Sequence, residues 1–177
     1  RFTTEGDVSS FGRFGEGEGE FSGPQDIVVA GNGDVYVADT FNHRIQQFSN
    51  TGEFIRAWGS FGEHEGAFNE PEGLAIAPDG DVFVADTQNN RIQVFSPEGA
   101  YLATLGGPGD SPGQFLQPGG LSFGPDGRLY VADSRHNRIQ CFEPVGDTPE
   151  SRAILVVSGG GVADNPLWTA SQMLGNM

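Results

Sequence analysis

Lysine is absent from this 177-residue chain, and all nine of its basic residues are arginine. Against them stand 24 Asp and Glu, which leaves a formal net charge of −15. A surface this acidic repels a phosphate backbone and an anionic bilayer, so nucleic acid and membrane surfaces are disfavoured as partners. Cysteine occurs once, at Cys141, so no intrachain disulfide can form. No apolar run approaches the roughly 18 residues of a membrane span. The P-loop lysine, the G-x-S-x-G nucleophile turn and a contiguous D-x-D-x-D-G loop are missing as well. What the chain does have is 28 Gly, 11 Pro and 14 Phe. That is too much glycine for a helical bundle and too many aromatics for an unstructured chain, which points to an all-β fold.

Self-comparison reveals the organisation. Asp39, Asp86 and Asp133 recur every 47 residues, as do Arg44, Arg91 and Arg138, and Phe48, Phe95 and Phe142. The repeated segments read VYVADTFNHRIQQF, VFVADTQNNRIQVF and LYVADSRHNRIQCF. Tandem repeats of this length imply a solenoid or a propeller. Each unit divides into four short strands. In the first unit these are Ile27–Ala30, Val35–Ala38, Arg44–Phe48 and Phe54–Trp58, and the first pair is joined by an Asn-Gly turn that the later units write as Asp-Gly. The first two strands are apolar on both faces, so each small sheet is expected to lie between neighbours, as the blades of a β-propeller do. Gln46, Gln93 and Gln140 hold one register on the third strand, which is expected nearer the rim.

The units resemble NHL repeats. The pattern appears as Gly66-Ala67-Phe68, Pro71, Leu74-Ala75-Ile76, Asp79-Gly80 and Val84-Ala85-Asp86 through Arg91-Ile92-Gln93 to Phe95, and it covers about residues 11–142. The resemblance implies four-stranded antiparallel blades in a six-bladed ring, which needs about 282 residues. Three full blades are visible, so the chain reads as an incomplete ring or a fragment of such a propeller. The expected divisions are 1–12 as trailing strands of a preceding blade, 13–59, 60–106 and 107–159 as blades, with an insertion near 147–152. Residues 160–177 are expected to form a non-repeat tail with a short C-terminal helix, since Asn165-Pro166 and Gly175 read as start and stop signals.

Strand parity puts the second-to-third connection of a blade and the blade-to-blade connection at the same end. This loop face is the candidate binding face, through Asn42, His43, Asn89, Asn90, His136, Asn137, Glu63, His64 and Glu65. Asp39–Arg44, Asp86–Arg91 and Asp133–Arg138 each stand five residues apart across a turn. A carboxylate facing a guanidinium fixes such a turn, and three equivalent copies argue for a structural role. Cys141 replaces Gln47 and Val94 on a strand, where a packed, inert thiol is expected.

Two functions from different classes follow. The first is a non-catalytic scaffold that docks a protein or polymer partner by its loop face, or self-associates to complete the ring, without a cofactor. The alternative is a metal-dependent propeller enzyme, similar to the amidating lyases or lactonases, with Ca or Zn at the channel mouth. At the start of the inner strands only Asp26 and Glu72 are anionic candidates for it. The resemblance further suggests an extracellular or periplasmic setting.

Overall fold

The computed structural model describes residues 10–144 and 154–158. The expected C-terminal helix, the insertion near 147–152 and residues 1–9 of the expected trailing strands lie outside the described residues. Two short strands open the described chain, β1 (Arg13–Phe14) and β2 (Glu20–Phe21). Three four-stranded sheets follow. The first contains β3 (Pro24–Val29), β4 (Val35–Asp39), β5 (Arg44–Phe48) and β6 (Phe54–Trp58). The second contains β7 (Pro71–Ile76), β8 (Val82–Asp86), β9 (Arg91–Phe95) and β10 (Tyr101–Leu105). The third contains β11 (Pro118–Phe123), β12 (Leu129–Asp133), β13 (Arg138–Pro144) and β14 (Ile154–Ser158). In each sheet the strands pair antiparallel in chain order, the connectivity of a propeller blade.

Local chemistry explains the turns. In the second sheet Gly80 adopts φ +100°, so its N–H reaches the Ala77 carbonyl at 2.9 Å and the hairpin closes. The first strands begin three residues earlier than the apolar pattern suggests, because Pro24, Pro71 and Pro118 each pair with the Asp that ends the neighbouring strand. A one-residue slip beyond each Pro absorbs the polar or glycine positions in between. Before each sheet the approaching loop makes a parallel contact, Phe14 with Phe21, Phe61 with Phe68 and Pro108 with Phe115. Gly59 sits under the Phe68 ring at φ +102°, where a Cβ would overlap the aromatic edge.

The sheets stack face to face. Tyr36, Ala38 and Ile45 of the first pack against Leu74, Val82, Val84 and Phe95 of the second. Phe83, Ala85, Ile92 and Val94 on its other side meet Leu129, Val131 and Phe142 of the third. The expectation of two dry faces therefore holds for the middle sheet, whereas the outer two each keep one open face. The column Ile45, Ile92 and Ile139 records this, at 0%, 0% and 61% exposure. Complete burial stabilises a side chain of this size by about 1.5–3 kcal/mol, a gain that Ile139 lacks.

The glutamines correct the sequence reading. Gln46, Gln93 and Gln140 do lie on the third strand of each sheet, outward of the first two, but at 0%, 0% and 2% exposure they are buried and not solvent-facing. They are polar because the loops that cross the sheet ends need partners there. The first strands β3, β7 and β11 lie side by side at the inner edge of the stack. There Gly73 runs against the Gly119 carbonyl with no room for a side chain.

Candidate functional site

The loop face is built around three buried carboxylates. Asp86 is fully buried, and its Oδ2 accepts from Arg91 Nε at 2.7 Å, from Asn89 Nδ2 at 2.9 Å and from Gln93 Nε2 at 3.0 Å. Its Oδ1 accepts the Asn69 N–H at 2.8 Å. Arg91 extends past Asp86 to donate to the His64 and Ala67 carbonyls, at 2.9 and 3.0 Å. Gln93 takes the Gly66 N–H and gives to the Ala67 carbonyl. The incoming loop 62–69 is thereby fastened by its own backbone. Burying a charge is tolerated only with this density of partners.

Asp39 and Asp133 repeat the arrangement. Asp39 is held by Ser22 N–H, Asn42, Arg44 and Gln46. Asp133 is held by Leu116 N–H, His136, Arg138 and Gln140. Burial works to raise the Asp133 carboxyl, but these donors outweigh it and hold it below the usual carboxylate range. His136 stands where the other units have Asn42 and Asn89. Its Nδ1 meets Asp133 at 2.9 Å and its Nε2 meets Asp110 at 2.8 Å. The Asp133 bond, with the Asp110 bond behind it, raises the imidazole above its ordinary value, against desolvation and the Arg138 charge.

A 3-10 turn bridges each Asp–Arg pair and ends in a left-handed residue, His43, Asn90 or Asn137. Two of these reach the next sheet: His43 Nδ1 accepts the Glu70 N–H at 3.1 Å, and Asn90 Oδ1 accepts the Gln117 N–H at 2.8 Å. Thr40 and Thr87 support them by donating to the Pro71 and Pro118 carbonyls. Beside them runs a row of four side chains across the second and third sheets. Arg135 Nε donates to Gln117 Oε1 at 2.7 Å, Gln117 Nε2 to Gln88 Oε1 at 2.9 Å, and Gln88 Nε2 to Glu70 Oε2 at 3.1 Å.

Of the residues expected on the binding face, Asn42, His43, Asn89, Asn90 and His136 have their side chains engaged inside the protein. Glu63, His64, Glu65 and Asn137 are exposed. Asp26 Oδ2 accepts the Leu74 N–H at 2.8 Å and so ties β3 to β7. Burial, then the Glu70 charge, raises the Glu72 carboxyl. No three His, Cys, Asp or Glu side chains converge as a cation site among the described residues. The sequence reading passed over the apolar part of this face. Phe14, Phe61 and Phe41 are 87%, 68% and 56% exposed. Phe61 stacks on His43 with centroids 5.0 Å apart, and Phe41 lies over Gly23. Phe14 and Phe61 share one column, which Pro108 continues, whereas Phe41 alone is apolar in a column it shares with Gln88 and Arg135.

Comparison with known proteins agrees with this architecture. The NHL repeat family matches residues 21–48, 68–95 and 115–142, the three segments that contain the Asp–Arg turns. The B-box type zinc finger protein ncl-1 of Caenorhabditis elegans is 54% identical over 44 residues, 25% of this chain and 5% of that protein. A catalytically inactive virginiamycin B lyase from Staphylococcus aureus, solved with quinupristin, superposes with a TM-score of 0.54 at 21% identity. That match covers 75% of this chain and 43% of the lyase chain. The WD40 β-propeller domain of Doa1 gives 0.50 at 15% identity over 68% of this chain and 36% of its own. These two likenesses establish the fold. The chain spans less than half of each relative and solved structure it matches here. Three matched repeats, each folded as a four-stranded sheet closed by the same buried Asp–Arg turn, place the chain in the NHL-repeat β-propeller family.

Proposed function

We propose that the chain is a binding scaffold whose loop face docks a protein segment carrying both basic and apolar side chains. The supporting observation is what that face leaves uncommitted. Its Asp, Arg and Gln side chains turn inward to hold loops three times over, joined by Asn42, Asn89 and His136. Phe14, Phe41 and Phe61 stand in solvent beside the exposed Glu16, Glu18, Glu63 and Glu65. Exposed aromatics surrounded by charge are the composition of an interface, and the carboxylates attract a cationic partner. Repetition of equivalent groups also suits an extended partner better than catalysis, which needs unlike groups around one reacting atom.

Selection of a random displayed peptide library on the immobilised chain tests this. Enriched peptides should combine Arg or Lys with Phe, Leu or Trp. They should lose about tenfold or more in affinity for the double variant Phe41→Ser, Phe61→Ser, whose melting temperature stays within the small range of surface changes. An absence of enrichment, or binding indifferent to both substitutions, would sink the reading.

A further inference from the structure

We propose, building on loop-face docking, that this face holds one subsite for a single side chain of the docked segment: an arginine that stacks on Phe41 and pairs with Glu70.

The subsite lies where a repeated pattern breaks. In the second sheet Gln88 stands between Glu70 of its own sheet and Gln117 of the next, and bonds both. The equivalent place in the first sheet belongs to Phe41, between Gly23 of its own sheet and Glu70 of the next. The turn that carries Phe41 is fixed against that residue, since His43 accepts the Glu70 N–H and Thr40 donates to the Pro71 carbonyl. Gly23, Glu70 and Gln117 all hold the left-handed backbone, at φ +57°, +52° and +51°. The three places are therefore alike in geometry and differ in what their side chains offer.

The exchange of an amide for a ring leaves Glu70 half satisfied. Its Oε2 accepts from Gln88 at 3.1 Å, but its Oε1 has no hydrogen-bond partner among the described residues. Phe41 brings no N–H to the place where a polar side chain continues the row in the next sheet. Arg135 is too far along that row to help, because it bonds Gln117. Glu72 follows two residues later, half-buried and also without a donor among the described residues. Burial, and then the Glu70 charge, raises its carboxyl, so the two carboxylates act on each other. Beside them the Phe41 ring is 56% exposed.

A flat ring next to an open carboxylate oxygen selects a flat cation. A guanidinium can lie on the ring and donate in its own plane to Glu70. The lysine ammonium is a compact charge that keeps its water more firmly and gains less from the ring.

NMR of the isotope-labelled full chain, titrated with N-acetyl-arginine amide, tests the subsite. The Glu70 N–H and the Gln88 side-chain amide should shift and saturate. The lysine analogue should bind about threefold or more weakly, and the citrulline analogue, which is flat but uncharged, about tenfold or more weakly. Phe41→Gln and Glu70→Gln borrow the residues that the next repeats hold, Gln88 and Gln117, and so keep the fold. They should weaken arginine about threefold and tenfold, respectively. No saturable shift, no preference for arginine over citrulline, or indifference to both substitutions would overturn the subsite. Its failure is separable from that of docking. Library peptides that respond to Phe41→Ser, Phe61→Ser but not to Glu70→Gln leave the scaffold standing and remove the arginine subsite. Saturation by arginine amide with no peptide enriched does the reverse.

Discussion

Asn89 and His136 hold the same place in consecutive repeats and do the same work with different chemistry. Asn89 donates its amide to Asp86 and to the Gly62 carbonyl, a clasp with no proton to lose. His136 fastens Asp133 to a second carboxylate, Asp110, from the loop before it. Both ring nitrogens face carboxylates, so only the imidazolium satisfies the site. Two clasps of one geometry thus differ in whether pH reaches them. Their settings differ too, because the Arg91 side chain beside the first is 13% exposed and Arg138 beside the second is 31% exposed.

Removing the carboxylates breaks the comparison hardest. Asp86→Ala strands Arg91 and Gln93 between two packed sheets and should cost about 3–5 kcal/mol. Asp133→Ala should cost less, about 2–3 kcal/mol, since water reaches Arg138 more readily. Urea unfolding of both variants checks the order, and equal losses would mean that the open face does not soften the site.

Titration sharpens the comparison. The folded pKa of His136 lies above its unfolded value of about 6.5, so its contribution is complete below that pH and is lost as pH climbs through the folded value. Asp133 runs the opposite way: its folded pKa is depressed, so its contribution is present above about pH 3.9 and disappears as acid passes the folded value. The urea midpoint should therefore fall from pH 6 toward pH 9. His136→Asn should flatten that slope, and Asn89→His, which sets an imidazole between Asp86 and Glu63, should steepen it. An unchanged profile in both would refute the assignment. The smallest effect is expected at the exposed end of the side-chain row, where Arg135→Ala should cost about 1 kcal/mol or less by the same measurement.

Much of the architecture was legible because it repeats. The 47-residue interval aligned Asp39 with Asp86 and Asp133, the apolar runs located the strands, and the turn glycines marked where the hairpins close. The site was less legible, for a physical reason. A buried polar side chain has the same letter as an exposed one, so Gln93 looked like a rim residue and Asn89 like a free one. Their destinations depend on backbone groups brought in from residues 62–69, about 27 positions away. The one available signal was that Gln46, Gln93 and Gln140 stay fixed in a column otherwise free to vary. Phe41 and Phe61 were overlooked for the converse reason: an apolar letter next to a repeat motif reads as core.

The row from Arg135 to Glu70 has a direction. A guanidinium only donates, so Gln117 must offer Arg135 its oxygen and present its nitrogen to Gln88, which is then bound to do the same toward Glu70. The terminal charges thereby select one of two orientations for both amides, and their dipoles align head to tail across two blades. Reversing the sign at both ends would turn the whole line over without moving a single backbone atom. A ligand that meets Gln88 therefore meets a polarity that was chosen at Arg135, in the neighbouring blade.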